Sequence, residues 1–363
     1  MAAQVIVALL LCLASAQAAA ADVGGYQLTS ENDLQGSAAA QIEKFWNDKA
    51  RTGTFSGERG VTIAYATFLQ PDKAAEKGAI VIVSGRTEAY LKYKELVFDL
   101  WHNGYSVYIH DHRGQGLSAR EPEVAQTPQR GHVQKFSLFV SDLRTFVQQQ
   151  VVPGKHGKYF LLAHSMGGAI ASLYLEEDAD KGQPFRAAAL SSPMHQIMGA
   201  AGLPADVGIC TIAHEFAEHG KSADYVVKGS DYSPREFDKN PYTRSPVRYG
   251  RFVDLYKSTP AIQLGSPTHG WVATACDAAR VSRNEAAKIK VPVRLFEAAE
   301  DSIVHSNGHE VFCSNLTKTQ PAGCGAKDGA PIVIPGARHE LFIAPDVARN
   351  QVLLGILEFF SNH

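Results

Sequence analysis

The chain of 363 residues has little of several features that mark whole classes of proteins. Its formal net charge is −2 at pH 7. The chain therefore has no excess of lysine and arginine, with which nucleic-acid-binding proteins neutralise phosphates. Beyond the first 20 residues, no apolar run in the sequence is long enough to cross a bilayer. What is present is the composition of a globular protein, 45% hydrophobic and 20% charged. The length suits one large domain with an insertion, or two domains of ordinary size.

Cysteine is also scarce, and the spacing of the five cysteines excludes two common motifs. No C-x-x-C occurs, so neither a zinc ribbon nor a thioredoxin-like redox site is predicted. His214 and His219 resemble the histidines of a zinc-protease helix, but they are five residues apart. A spacing of four is needed to place two histidines on one helix face. We therefore expect no metal site.

The N-terminus carries the first specific signal of the sequence. Val5 to Leu13 is an apolar run too short to span a bilayer, and residues 16–18 (AQA) fit the cleavage site of a secretory signal peptide. The usual lysine or arginine near the start is missing, and a buried helix is the alternative. The pattern favours a signal peptide over residues 1–20, and hence an exported protein, periplasmic or secreted.

Removal of this signal peptide would leave four cysteines. An even number predicts two disulfides in an oxidising compartment, and four cysteines allow three pairings. Cys313 and Cys324 close a short loop rich in glycine, proline and lysine, which favours their pairing. Cys210 and Cys276 are then left for the second disulfide.

From about residue 61 the sequence alternates between strand-like and helical stretches. The run at residues 79–84 (AIVIVS) is continuously apolar, as a strand buried on both faces of a parallel sheet should be. The alternation predicts an α/β fold, with a mostly parallel central sheet covered by helices on both faces. Further strands are predicted at residues 61–68, 105–110, 159–164, 186–191, 291–296 and 331–335, and helices at residues 38–49, 92–103, 133–151 and 347–361.

Residues 194–288 break this alternation, because they show no strand periodicity. They predict a mostly helical cap insertion above the carboxyl ends of the strands, where open α/β sheets bind ligands. The apolar start of the insertion, residues 194–203, is open to three interpretations: lining of a ligand site, membrane contact, or packing on the core. The chain is thus divided into a signal peptide (1–20), a first part of the core (21–193), the cap (194–288) and a second part of the core (289–363).

The remaining elements are organised around residues 159–175, where an apolar strand runs directly into an apolar helix. Such a sharp turn strains the turn residue, here Ser165, and exposes its side chain. Gly167 and Gly168 let the helix pack close behind the strand. This is a nucleophile elbow of G-x-S-x-G type, with Ala163 in place of the first glycine. It predicts Ser165 as a nucleophile.

A serine nucleophile needs a histidine base and an acid that orients it, in the chain order Ser, acid, His for this type of fold. Carboxylates follow the predicted strand at residues 291–296, at Glu297, Glu300 and Asp301. Asp301 is predicted as the acid, with its neighbour Glu300 as the nearest rival. His339, in a loop after the last predicted strand, is predicted as the base.

The oxyanion of an acyl-transfer intermediate needs two preorganised N–H donors. One is predicted to be the backbone N–H of Met166, directly after the nucleophile. The other is predicted to be that of Arg86, because Gly85 lets the loop after the strand at residues 79–84 turn toward the site.

Four motifs together carry a family resemblance: residues 84–93 (SGRTEAYLKY), 111–118 (DHRGQGLS), 163–168 (AHSMGG) and 336–341 (GARHEL). In this order, and from about residue 65 to its end, the chain resembles the α/β-hydrolases of the bacterial lysophospholipase and monoacylglycerol lipase group. Residues 264–272 (LGSPTHGWV) are similar to the cap of the lysophospholipase branch. The SGR sequence at residues 84–86 departs from the His-Gly loop of monoacylglycerol lipases, which favours the lysophospholipase branch.

The resemblance implies an α/β-hydrolase fold with Ser165, Asp301 and His339 as a triad, Arg86 and Met166 as backbone donors, and a cap that holds an acyl chain. The implied activity is hydrolysis of the fatty-acyl ester of lysophospholipids through an acyl-enzyme. Monoacylglycerols or general carboxylic esters are the alternative substrates, and a non-catalytic lipid-binding protein is the alternative of a different class.

This chemistry needs neither a metal nor an organic cofactor, and no nucleic-acid partner is expected. Peripheral membrane contact is left open, as is the oligomeric state. The Arg86 side chain is expected to pair with Glu88 or to face solvent, with contact to a phosphate headgroup as the alternative.

Overall fold

The computed structural model describes residues 21–206 and 208–363, so the predicted signal peptide lies outside the described residues. The strands are β1 (Ala21–Val23), β2 (Tyr26–Leu28), β3 (Arg51–Ser56), β4 (Thr62–Phe68), β5 (Gly78–Val83), β6 (Tyr105–His110), β7 (Tyr159–His164), β8 (Ala187–Ser191), β9 (Val293–Ala298) and β10 (Ile332–Ile334). The α-helices are α1 (Glu31–Gln35), α2 (Ala38–Lys49), α3 (Lys94–His102), α4 (Ser137–Phe146), α5 (Met166–Glu177), α6 (Ile209–Phe216), α7 (Pro246–Ser258), α8 (His269–Asn284), α9 (Ser306–Leu316) and α10 (Asp346–Ser361).

Eight of these strands form one sheet, in the order β10-β9-β8-β7-β5-β6-β4-β3. The strands from β10 to β6 run parallel, whereas β4 is antiparallel to both β6 and β3. Val83 is opposite both His110 and Ala163, and His164 is opposite Ser191, so the central parallel strands end at one edge. The loops that leave this edge carry the predicted site residues.

Helices cover both faces of the sheet, because the side chains of its strands alternate between two hydrophobic cores. In β5, Val81 and Val83 face the core formed with α4, α5 and α8, whereas Ile80 and Ile82 face the core formed with α2, α3 and α10. Every residue of β5 is buried, as its continuous apolar run predicted. The prediction of a mostly parallel sheet with helices on both faces is confirmed.

The strands β1, β2 and β3 of the N-terminal region and the short helix α1 were not predicted from the sequence. β1 and β2 form a separate two-stranded antiparallel sheet, and β3 lies at the edge of the main sheet. The sequence of β3 is RTGTFS, and Phe55 is its single buried residue. The strand therefore shows almost no hydrophobic periodicity.

The helix predicted at residues 133–151 begins at Ser137 and continues beyond α4 as a π-helical turn.

The segment between β8 and β9 is largely helical and contains α6, α7 and α8. α7 is fixed to the core by the buried side chain of Arg248, which bonds Glu95, Asp346 and the carbonyl oxygen of Thr29. α8 packs on α6 and also on the core helices α5 and α9. The limits of the cap, residues 194–288, stay a prediction.

Two disulfides cross-link the structure. Cys210 on α6 is joined to Cys276 on α8, and Cys313 on α9 is joined to Cys324 in the following loop. These are the pairs that the spacing of the cysteines favoured. None of the described helices is both long and apolar enough to cross a membrane.

Candidate active site

Ser165 sits at the junction of β7 and α5 in a strained backbone conformation, with φ 52° and ψ −122°. Small residues are required around it. A β-carbon on Gly167 would lie 2.1 Å from the carbonyl oxygen of Val83, and one on Gly168 would lie 2.3 Å from the side chain of Pro193. Ala163 is fully buried, and its methyl group belongs to the hydrophobic core. The extra methyl at the first position of the elbow is therefore accommodated.

His339 lies in the loop after β10 and connects two of the other predicted site residues. Its Nε2 is 2.8 Å from Oγ of Ser165, and its Nδ1 is 2.7 Å from Oδ2 of Asp301. An aspartate can only accept, so the partners favour the tautomer in which Nδ1–H donates to Asp301 and Nε2 accepts from the serine hydroxyl. The structure thus brings Ser165, His339 and Asp301 into one hydrogen-bonded chain.

Asp301 is held in place by the turn that follows β9. Its Oδ1 accepts the backbone N–H groups of Ile303 at 2.8 Å and of Val304 at 3.0 Å. Burial by itself would raise the pKa of this carboxyl, but the attraction of His339 and these N–H donors outweigh it and lower the pKa. Asp301 is therefore a carboxylate at neutral pH.

The neighbouring carboxylates point elsewhere. The side chain of Glu300 is 43% exposed and forms an ion pair with Arg244 at the surface. Glu297 accepts a hydrogen bond from Nδ1 of His309 at 2.6 Å. Of the three carboxylates that the sequence offered, Asp301 is the one that contacts His339.

The two predicted oxyanion donors lie at the carboxyl edge of the sheet. Met166 is the first residue of α5, where backbone N–H groups have no partner within the helix, and Arg86 follows β5. Neither backbone N–H donates a hydrogen bond to another group in residues 21–206 or 208–363. Both are thus available to an oxygen bound beside Ser165.

The loop after β5 is held by side chains whose role sequence reasoning missed. Gln115 donates from Nε2 to the carbonyl oxygens of Gly85 at 2.7 Å and Glu88 at 2.9 Å. Nε2 of His112 lies 2.9 Å from the carbonyl oxygen of Ser84. The DHRGQG motif therefore fixes the backbone that carries the Arg86 N–H.

A buried ion cluster of Glu88, Lys92, His164 and Glu340 lies beneath the site. Nζ of Lys92 donates to Glu340 at 2.6 Å and also to Glu88, whose carboxylate accepts the N–H of Gly85. Glu340 lies 3.2 Å from Nε2 of His164. Burial opposes the ionisation of His164 and of Glu340. The attraction of Glu340 outweighs it and raises the pKa of His164. The attraction of Lys92 and His164 holds the pKa of Glu340 well below its usual range.

The same cluster contains three potential metal ligands. Donor atoms of Glu88, His164 and Glu340 lie within 4.8 Å of one another. The ammonium group of Lys92 bonds both carboxylates, so this position already holds a cation. This arrangement was not predicted, because its members come from three separate motifs of the sequence.

The side chain of Arg86 differs from the expectation. It does not pair with Glu88, and it is partly buried against the cap instead of extending freely into solvent. Its Nη2 donates to the carbonyl oxygen of Gly265 at 2.9 Å, and its guanidinium lies over the ring of Trp271, 4.9 Å from the centroid. Glu88 is unavailable because Lys92 already binds it. Arg86 thus links the loop after β5 (residues 84–89, the predicted oxyanion loop) to the predicted cap.

Known proteins resemble this chain along most of its length. The family model described as "Serine aminopeptidase, S33" matches residues 74–346. Lysophospholipase L2 of Escherichia coli is 33% identical, over 92% of this chain and 94% of that protein. Probable lysophospholipase L2 of Haemophilus influenzae is 31% identical, over 89% of this chain and 96% of that protein.

A solved structure shares the fold. A soluble variant of monoglyceride lipase from Saccharomyces cerevisiae superposes with a TM-score of 0.67 and 18% identity, over 87% of this chain and 96% of that one. The predicted α/β-hydrolase fold and the resemblance read from the four motifs are both confirmed. The chain therefore belongs to the serine aminopeptidase S33 family of α/β-hydrolases, in the group of lysophospholipases and monoacylglycerol lipases, and is a serine ester hydrolase.

Proposed function

We propose that the protein is an exported lysophospholipase, which releases a fatty acid from lysophospholipids through an acyl-enzyme. The observation that supports this most directly is the pair of hydrogen bonds made by His339, to Ser165 at 2.8 Å and to Asp301 at 2.7 Å. The proposed substrate class is supported by the similarity to lysophospholipase L2 across nearly the full length of both chains.

In the first half of the reaction, Oγ of Ser165 attacks the carbonyl carbon of the ester while its proton passes to Nε2 of His339. Asp301 stabilises the imidazolium that forms. The backbone N–H groups of Arg86 and Met166 bind the oxyanion, and each such donor contributes roughly 3–4 kcal/mol to transition-state stabilisation. When the intermediate collapses, the glycerol oxygen leaves with the proton from His339, and the acyl group stays on Ser165.

In the second half, His339 takes a proton from a water molecule, and the resulting hydroxide attacks the acyl carbon. The same two backbone N–H groups bind the second oxyanion. Its collapse breaks the bond to Oγ, and His339 returns the proton to Ser165. The fatty acid is released and the enzyme is restored, so the cycle consumes one water molecule and requires no redox partner.

The proposal is tested with purified protein and a fluorophosphonate probe, which reacts only with an activated serine. We expect labelling of the wild type and none of Ser165→Ala. Labelling that survives in Ser165→Ala would place the nucleophile elsewhere. A folded wild type that takes no label would support the non-catalytic lipid-binding alternative instead.

A substrate panel then decides between the candidate esters. The panel comprises lysophosphatidylcholine, a monoacylglycerol of the same chain length and p-nitrophenyl butyrate. A lysophospholipase hydrolyses the first with the highest kcat/KM. A preference for the monoacylglycerol, the substrate named in the yeast neighbour, would favour the second candidate function, and cleavage of the short ester alone would contradict both lipid assignments.

Export is supported by the two disulfides, because such bonds persist in oxidising compartments. Expression of the full chain in a bacterium and N-terminal sequencing of the product outside the cytoplasm provide the test. We expect the mature chain to begin after a cleavage near residues 18–20. Retention of Met1 on a cytoplasmic, fully reduced protein would contradict export.

The cap is further proposed to contact the lipid surface that supplies the substrate. Ile209 and Ile212 are exposed on one face of α6, and Leu203 in the preceding loop is 55% exposed. Exposed apolar side chains grouped in one segment are typical of membrane-contact surfaces. Binding to phosphatidylcholine vesicles should weaken in Leu203→Ser/Ile212→Ser, whereas equal binding of wild type and variant would assign these residues no such role.

A further inference from the structure

A cavity of about 470 Å³ lies between the loop that carries Arg86 and the cap. Its volume is in the range of small-molecule binding sites. The cavity wall contains three cationic side chains, those of Arg86, Lys228 and Arg235, against the single carboxylate of Asp231. The balance of charge is therefore positive, which suits an anionic ligand.

Two of the three cations have no partner of opposite charge. Within the described part of the chain, the side chains of Lys228 and Arg235 form neither an ion pair nor a hydrogen bond. Asp231 accepts a hydrogen bond from the hydroxyl of Tyr225, so this carboxylate is already engaged. Both cations thus remain available to a ligand in the cavity.

Arg86 supplies a third, partly desolvated cation. Nη2 bonds a backbone carbonyl, but Nε is buried without a hydrogen-bond partner, and no carboxylate among the described residues pairs with the guanidinium. Burial lowers the pKa of Arg86 to about 10, so the group is still charged at neutral pH. A charge held away from water in this way is stabilised by an anion that enters the cavity.

The remaining wall is aromatic and polar. Rings of Tyr249 and Phe252 line the cavity, and the hydroxyl of Tyr232 is a second buried polar atom without a partner. Aromatic faces attract quaternary ammonium groups. The cavity therefore combines cations for a phosphate with aromatic surface for an attached ammonium group.

We propose that this cavity binds the phosphate-bearing headgroup of the lysophospholipid, an inference that rests on the proposed function. Arg86 connects the two sites, because it follows β5 at the sheet edge where Ser165 lies, its backbone N–H is the proposed oxyanion donor, and its side chain lines the cavity. The glycerol unit is the only spacer between the scissile ester and the phosphate in such a lipid. Lys228 and Arg235 are thus specificity-determining residues, which favour a lysophospholipid over an uncharged monoacylglycerol.

A binding experiment tests the cavity without relying on turnover. Glycerophosphocholine is titrated into full-length Ser165→Ala protein and followed by ligand-observed NMR, with inorganic phosphate as a second titrant. We expect saturable binding of glycerophosphocholine, and binding at least about tenfold weaker once Lys228→Gln and Arg235→Gln are added, because both charge-assisted contacts are lost. Lys239→Gln is the matched control, since Lys239 lies outside the cavity wall and pairs with Glu236.

Three results would overturn the headgroup site. Glycerophosphocholine does not bind, or the double variant binds it as the parent does, or inorganic phosphate binds as tightly as glycerophosphocholine. The last result would make the cavity a free-anion site. Arg86 is left unchanged in this experiment, because a substitution there would also disturb the oxyanion loop.

Kinetics provide the second test, with the ratio of kcat/KM for lysophosphatidylcholine to that for a monoacylglycerol of the same chain length. The ratio should fall about tenfold or more in Lys228→Gln/Arg235→Gln through a rise in KM for the charged lipid. An unchanged ratio would contradict the assignment. A wrong proposed function gives a different result. The wild type would then not turn over lysophosphatidylcholine, whereas the NMR titration would still report whether the cavity binds glycerophosphocholine.

Discussion

Oε2 of Glu340 lies 3.2 Å from Nε2 of His164, so the residue after the proposed base faces the residue before the proposed nucleophile. Lys92 bonds the same carboxylate at 2.6 Å and also bonds Glu88, which holds the backbone of the oxyanion loop. The buried ion cluster therefore connects the three loops that carry the proposed nucleophile, the proposed base and the proposed oxyanion donor Arg86. Precise placement of these groups is what acyl transfer requires.

The first prediction concerns the stability that this cluster contributes. The Lys92 side chain is only 5% exposed, and Lys92→Met would leave two carboxylates without their cation. Removal of one partner from a buried ion pair typically costs about 3–5 kcal/mol. We expect a loss of this size in the free energy of unfolding, measured with urea at pH 7.

The matched control is Lys44→Met, because the Lys44 side chain is 76% exposed and pairs with Asp48 at the surface. Exposed pairs of this kind contribute at most about 1 kcal/mol. If the two variants were equally stable, the cluster would not support the fold in the way described.

The second prediction concerns Asp301, the proposed acid of the triad. Asp301→Asn keeps the shape of the side chain but removes the charge that orients His339, and we expect kcat to fall about 10⁴-fold on p-nitrophenyl butyrate. Glu300→Gln should stay close to the wild type, because Glu300 pairs with Arg244 at the surface. The reverse order of the two variants would reassign the acid.

The site residues differ in how much of their position the sequence reveals. Asp301 and His339 were predicted because each follows a strand of a parallel sheet, and such strands end at the same edge. Glu88, Lys92 and Glu340 were missed as a cluster. Glu340 lies far along the chain from Glu88 and Lys92, and each of the three alone resembles an ordinary surface charge. Only the packing of the three loops shows that they share one buried position.

A similar limit applies to the fold. The continuous apolar run of β5 identifies a central strand, whereas β3 lies at the sheet edge and buries a single residue fully. The side chains of β3 pack little against the helices, so its sequence needs no apolar alternation. The Arg86 side chain was misplaced for a related reason, since its partners Gly265 and Trp271 belong to the cap.

The third prediction tests the space available at the elbow. A β-carbon on Gly167 would lie 2.1 Å from the carbonyl oxygen of Val83, a backbone atom that cannot rotate away. We expect Gly167→Ala to lower the free energy of unfolding by about 1–3 kcal/mol through overpacking. We also expect kcat/KM to fall at least about tenfold, because the shift displaces the neighbouring Met166 N–H.

Gly250→Ala is the control for this substitution. Gly250 lies within α7, and nothing approaches within 4 Å of the added β-carbon. Alanine is the better helix former, so this variant should gain about 0.5–1 kcal/mol and keep full activity. A Gly167→Ala protein with unchanged stability and kinetics would show that the close contact at the elbow is not required.

The fourth prediction concerns a buried acid remote from the site. Both carboxyl oxygens of Glu176 on α5 are buried without a hydrogen-bond partner. Burial and the repulsion of Glu285 raise the pKa of Glu176 from 4.5 to about 9. Between these two values the folded protein keeps a proton that the unfolded chain has released, so stability falls as the pH rises.

Glu176→Gln should remove this pH dependence, because an amide has no proton to release. At pH 7 the ionisation of Glu176 in the unfolded chain favours unfolding by about 3 kcal/mol, and the variant should be more stable by a similar amount. Near pH 4 both proteins should unfold at similar urea concentrations, since the carboxyl is then protonated in either state. Glu177→Gln, which removes a surface pair with Arg144, should change the free energy by less than about 1 kcal/mol. An equal pH dependence in Glu176→Gln and the wild type would show that Glu176 is ionised in the folded protein, with its charge compensated.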